Sequence, residues 1–164
     1  MPEKTVLQPV APTQSNAADP GGPRRLLIGD DQPHILEALE ILLRPEGYGL
    51  STARSPALVL DCFEHHEFDG VLLDLNYTRD TTSGIEGLDL IAAIRERDAL
   101  IPIVVMTAYA NVDLAVEAMR RGANDFIQKP WDNHRLLTVL RNQLELLFPV
   151  RLQDLPRFLK TLIW

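Results

Sequence analysis

The chain has 164 residues, 46% of them hydrophobic, and a net charge of −7. That length suits one domain with tails, and the apolar share suffices for a packed core. The acidic balance excludes a nucleic-acid binder acting through its own field. Cys62 is the single cysteine, which excludes an intrachain disulfide framework or a cysteine zinc site and fits a reducing compartment. It is expected to pack as a small hydrophobe.

Met1 to Pro23 holds five prolines and no apolar run long enough for a signal peptide, so residues 1–23 read as a disordered arm. No stretch approaches the roughly 20 apolar residues of a membrane span. Arg25 to Gly29 reads as a short buried strand. Pro33 suits a first helical position, and Ile35, Leu36, Leu39, Leu42 and Leu43 follow at helical spacing until Pro45 and Gly47 stop the helix. Gly49 to Ala53 forms a second strand. Ser55-Pro56 is an N-cap and N1 pair opening a helix with Leu60 and Phe63 inward. Gly70 to Asp74 is the third strand.

Leu75 to Gly87 is polar and reads as a loop. Its Asn76-Tyr77-Thr78 triplet matches a glycosylation acceptor, a chance match in a chain read as lacking a secretory signal. Leu88 to Asp98 is helical, and Pro102 to Thr107 is the fourth strand. Val112 to Arg121 is a helix with Val112, Ala115 and Met119 on one face and Gly122 past its end. Asp125 to Gln128 is the fifth strand. Asp132 to about Leu147 is the last helix, with Leu137, Leu140, Leu144 and Leu147 at spacings of three and four. Beyond it, Leu155, Phe158, Leu159, Leu162 and Ile163 share one side of a possible helix from Asp154. That segment could pack on the domain, pair with a second chain, stay disordered, or reflect a truncated or shifted reading frame.

Five strands alternating with five helices predict an α/β fold with a parallel sheet covered on both faces. The ligand crevice of such a sheet lies outside the carboxyl ends of its strands. Asp30-Asp31, Asp74, Thr107 and Lys129-Pro130 all fall at those ends. Three carboxylates at close quarters need a cation. Oxygen ligands without histidine or cysteine point to Mg²⁺, with a loop carbonyl after Asp74 as a further donor. A carboxylate nucleophile attacking phosphorus gives an acyl phosphate, and Lys129 and Thr107 are placed to bind its oxygens. Weighed alone, each residue has a plainer reading: a helix-dipole acid pair, a loop aspartate, a turn-capping threonine, a surface lysine. The four strand ends together favour the site. His34, His65, His66 and His134 read as surface residues.

Asp30-Asp31, Asp74-Leu75-Asn76, Met106-Thr107-Ala108 and Gly122 to Pro130 together resemble the receiver domain of two-component response regulators. The likeness covers about Arg25 to Leu147, for a receiver domain at 24–147 between the arm and a tail at 148–164. It implies a flavodoxin-like sheet of strand order 2-1-3-4-5. It implies Asp74 as phosphoacceptor from a histidine kinase or phosphotransfer protein. Asp30, Asp31, Asp74 and the Asn76 carbonyl would hold Mg²⁺. Thr107 and Lys129 would contact the phosphoryl group, Phe126 would be the switch aromatic, and Lys129-Pro130 would be cis. On residue type alone Phe126 could equally be core.

The segment after Asp74 is longer than is usual in the family and is similar to receivers joined to AAA+ activators of alternative-sigma-factor transcription. The sequence itself has no G-x-x-x-x-G-K-[ST] phosphate loop and no DNA-binding helix pair after the receiver. The expectation is therefore a cytoplasmic phosphorelay module, not an enzyme beyond self-phosphorylation and autodephosphorylation. Transcription would be reached through a partner, without direct nucleic-acid or membrane contact. A homodimer could form through the fourth helix, fifth strand and fifth helix. The competing readings are a Mg²⁺-dependent phosphatase or phosphotransferase, disfavoured by Asn76 where a second acid is usual, and an unphosphorylated scaffold.

Overall fold

The computed structural model describes residues 22–77, 84–108 and 112–146. In chain order the elements are β1 (Arg25–Gly29), α1 (Pro33–Leu43), β2 (Gly49–Ala53), α2 (Pro56–His65), β3 (Gly70–Asp74), α3 (Ile85–Arg97), β4 (Ile103–Thr107), α4 (Val112–Arg120), β5 (Asp125–Gln128) and α5 (Asn133–Arg141). The strands form one sheet of order β2-β1-β3-β4-β5, and every pairing is parallel.

Strand periodicity sorts the core into two layers. Leu27, Val71, Leu73, Ile103 and Val105 meet α2, α3 and α4 through Val59, Ile91, Ile94, Leu114 and Ala118. Leu26, Ile28, Leu72, Val104 and Met106 meet α1 and α5 through Leu36, Leu39, Leu43, Leu136 and Leu140. Both faces of the central strands are buried, which explains why they read as continuous apolar runs. Ser55 Oγ accepts from the Leu58 amide at 3.2 Å and caps α2 behind Pro56. Asp132 caps α5 through the Arg135 amide at 2.8 Å. Gly47 ends a 3-10 turn (Arg44–Glu46) in the left-handed region, φ 89°.

Two helix bounds need correction, those of α3 and α5, and the burial along α2 and α4 is refined. Helix α3 begins at Ile85, not Leu88, because Gly87 lies against the backbone of Leu75 and Gly84 adopts φ 68° beside the Leu114 side chain. Its first turn is held by tertiary contacts that apolar periodicity does not reveal. In α2 the fully buried residue is Val59, with Leu60 and Phe63 only partly buried. In α4 the inward residues are Leu114 and Ala118, so Val112 and Met119 face solvent. Helix α5 ends at Arg141 and passes into a π turn (Asn142–Leu146), where Leu144 fills the space beside Gly70. Leu136, Leu140 and Leu144 carry its buried face, while Leu137 is partly buried. The 148–164 tail, most of the 1–23 arm and the Thr78–Ser83 part of the long segment lie outside the described residues.

Candidate functional site

Parallel register brings the polar strand ends to one edge. Gly29 aligns with Leu73, Asp74 with Met106, and Thr107 with Gln128. Ladder-like bonds continue past the strands: Asp30 N–H to the Ala53 carbonyl at 3.1 Å, Leu75 N–H to that of Met106 at 2.9 Å, and Lys129 N–H to that of Thr107 at 2.8 Å. These fix the backbone under each functional side chain. The Lys129-Pro130 bond is cis, as expected.

Asp30, Asp74 and Thr107 are buried. Lys129 Nζ lies 2.5 Å from Asp30 Oδ2 and 3.5 Å from Asp74 Oδ2. Asp30 Oδ1 accepts from the Gln32 amide at 2.9 Å, and Asp74 Oδ1 accepts from the Asn76 amide at 3.2 Å. One carboxylate oxygen from each of Asp30, Asp31 and Asp74 lies within 4.8 Å of the others. Burial pushes the Asp74 carboxyl up from 3.8 to about 6; Lys129 opposes this, Asp30 adds to it, the Asn76 amide opposes it and Asp31 adds to it.

Three carboxylates against one ammonium leave this pocket short of positive charge. Asp31 Oδ1 is buried without a hydrogen-bond partner. A buried carboxylate oxygen in that state is costly unless a cation meets it. All donors are hard oxygens, so the residues fit Mg²⁺ and do not suit a softer transition metal.

The side chain of Asn76 has a role the sequence reading missed. Its Nδ2 donates to Thr107 Oγ1 at 3.2 Å, and its Oδ1 is buried without a partner. Tyr77 was also missed, inside a segment read as polar loop. It is 2% exposed, its hydroxyl has no partner, and it lies 2.7 Å from where a Cβ on Gly29 would stand. Burial first, then the Asp74, Asp30 and Asp31 carboxylates, raise its phenol pKa. The available signal was a bulky aromatic three residues after the strand-end acid. Phe126 sits at the second position of β5, opposite Val105, and packs partly buried against the layer under α2–α4. His34, His65, His66 and His134 are exposed, as read. Cys62 is half-buried and burial raises its thiol pKa, which fits an inert packing role.

Fold and site define a class: a doubly wound parallel α/β domain with an acidic pocket and a lysine at the carboxyl ends of its strands. The family model for the response regulator receiver domain matches residues 26–141. The chain belongs to this family, as a receiver domain of two-component signalling. It is 35% identical over 122 residues to the C4-dicarboxylate transport transcriptional regulatory protein DctD of Pseudomonas aeruginosa, covering 74% of this chain and 25% of that protein. It is 36% identical to the transcriptional regulatory protein FixJ of Azorhizobium caulinodans, covering 70% of this chain and 52% of that one. The chain thus spans about a quarter to a half of the length of these curated relatives. Among solved structures, the receiver domain of NtrX from Brucella abortus matches with TM-score 0.67 and 31% identity, over 73% of this chain and 98% of that one. A CheY-like receiver domain protein from Methanospirillum hungatei JF-1 matches with TM-score 0.69 and 26% identity, over 76% and 95%. Among the described residues no helix is long and apolar enough to cross a membrane.

Proposed function

We propose that Asp74 accepts a phosphoryl group from a histidine kinase or phosphotransfer protein, with Mg²⁺ held by Asp30, Asp31, Asp74 and the Asn76 carbonyl. The observation that carries this is the placement of Asp74: buried at the end of β3, 3.5 Å from Lys129 and within 4.8 Å of both other acids. An Asp74 carboxylate oxygen attacks phosphorus. The P–N bond to the donor imidazole breaks, and the released nitrogen takes up a proton from solvent. Bound Mg²⁺ supplies neutralisation of the phosphoryl oxygens and of the acid cluster.

The remaining work falls to the chain's own groups. Lys129 exchanges part of its pairing with Asp30 for a phosphoryl oxygen. The Thr107 hydroxyl, which accepts from Asn76 Nδ2 at 3.2 Å, turns to donate to another. That shift releases Phe126 and β5 to change the face formed with α4 and α5, a surface for a second copy or a downstream partner. Proteins named as transcriptional regulators among the relatives support an output in transcription reached through another domain or partner, in the cytoplasm. Turnover is confined to self-phosphorylation from small donors and autodephosphorylation.

The test is incubation with acetyl phosphate and Mg²⁺, read by intact-protein mass. We expect one added phosphoryl group in the unmodified chain and none in Asp74→Ala. An unmodified chain that stays unlabelled with Mg²⁺ present would overturn the reading.

A further inference from the structure

We propose that the cleft between α2 and α3 binds a short zwitterion with an apolar body, in chemical class an apolar dipeptide. The cleft has a volume of about 530 Å³, within the range of about 300 to 1,000 Å³ typical of small-molecule sites. It takes in Arg54 to Ala57, where β2 passes into α2, and the first turns of α3. Tyr77, 2% exposed, forms part of its wall. Arg54 Nη2 lies 3.5 Å from the Asp31 carbonyl, which sets the cleft beside the acid cluster. None of Asp30, Asp31, Asp74, Thr107 and Lys129 lines it, so this site is separate from the one described above.

The two walls carry opposite charge. On the α2 side stands Arg54, which is exposed and whose contact with the Asp31 carbonyl is at the limit of a hydrogen bond. The start of α2 adds the positive end of its dipole on the same side. On the α3 side stand Glu86 and Asp89. Asp89 is engaged by Arg121 at 2.8 Å. Glu86 is half-buried, and its carboxylate enters no hydrogen bond or ion pair among the described residues. One guanidinium and one carboxylate thus line the same cleft uncommitted. Leu60, Leu90 and Ala93 supply its apolar surface, with Leu90 anchored in the core at 2% exposure.

A ligand of a single sign fits only one wall. An anion would meet the Glu86 carboxylate and a cation the Arg54 guanidinium, and like charges brought together are unfavourable. A zwitterion matches both at once. Its carboxylate accepts from the guanidinium, the geometry in which arginine binds most strongly, and its ammonium donates to Glu86. Apolar side chains between the two charges cover Leu60, Leu90 and Ala93 and remove that surface from water. A dipeptide carries these three features in that order along its length.

Calorimetric titration of the full chain with leucyl-leucine tests this, beside three relatives of the probe. Leucyl-leucine should bind saturably at one site. N-acetyl-leucyl-leucine lacks the ammonium, leucyl-leucinamide lacks the carboxylate and glycyl-glycine lacks the apolar side chains, and each should bind roughly tenfold more weakly or worse. In Arg54→Ala, leucyl-leucine should fall to the affinity of its amide. In Glu86→Gln it should fall to that of its acetylated form. Ala93→Phe, which fills the cleft from the half-buried α3 side, should abolish binding, and amide chemical shifts should move at Arg54, Ala57 and Ala93 but not in α1 or α5. No saturable binding at millimolar dipeptide, a blocked form that binds as tightly as the zwitterion, or shifts confined to another face would each overturn the proposal.

Discussion

Asp74 is held where its charge is least welcome. Its carboxyl, pushed up to about 6 from 3.8, keeps a proton in the native state where the unfolded chain has lost it. The native state therefore binds more protons between about pH 4 and pH 6, and stability falls as pH rises through that window. The contribution lost is about 2 to 3 kcal/mol, because each pH unit between the two values is worth about 1.4 kcal/mol. Asp74→Asn should remove this slope, so urea melts of the two metal-free proteins at pH 5 and pH 7 should show the variant gaining on the wild type. Parallel pH dependences would contradict it. Tyr77 poses a different residue-scale question. Its phenol is buried with no hydrogen-bond partner, and an unmet hydroxyl costs about 1 kcal/mol or more. Tyr77→Phe should raise the melting temperature, and a lowered one would mean that the hydroxyl bonds in solution.

Glycines separate two kinds of constraint at the scale of elements. A Cβ on Gly87 would collide with the backbone of Leu75, including its carbonyl oxygen at 2.6 Å. Neither the strand end nor the helix can yield without moving Asp74's neighbour. Gly87→Ala should cost about 2 to 3 kcal/mol, in the range of overpacked cores, and should slow phosphoryl uptake. Gly47 has φ 89° and nothing within 4 Å of a Cβ. Gly47→Ala should cost only the left-handed penalty, about 1 kcal/mol, and leave uptake unchanged. Denaturant midpoints of the two variants decide the comparison. Arg95 of α3 shows how loops are pinned: it donates to the Gly122 carbonyl at 2.7 Å, the Ile101 carbonyl at 2.6 Å and Asn124 Oδ1 at 2.9 Å. It thereby fixes the entries to β4 and β5.

For the whole molecule, the acid cluster sets a trade between stability and readiness. Repulsion among Asp30, Asp31 and Asp74, only partly met by Lys129, destabilises the metal-free fold and favours a state that binds a cation. Mg²⁺ should therefore raise the melting temperature at pH 7, by up to about 2.7 kcal/mol of stabilisation at a hundredfold excess over Kd. Asp31→Ala should abolish most of that response while leaving the fold intact, because Asp31 is only half-buried. A melting temperature indifferent to Mg²⁺ would count against the metal role. Calorimetry with and without a chelator measures both.

The strands, their alternation with helices and the acids at their ends were legible in the sequence. Buried parallel strands must be apolar throughout, and Pro33, Ser55-Pro56 and Gly122 mark helix ends by local chemistry. From these alone follow the parallel sheet and the meeting of Asp30, Asp74, Thr107 and Lys129 at one edge. Tertiary packing decided the rest. It chose Val59 over Leu60 in α2 and turned Val112 and Met119 outward. It started α3 at Ile85 through contacts at Gly84 and Gly87, and buried Tyr77 within a polar stretch. It also set the Asn76 amide on Thr107. Each of these depends on what another part of the chain places opposite a residue, and spacing along one segment carries no record of that.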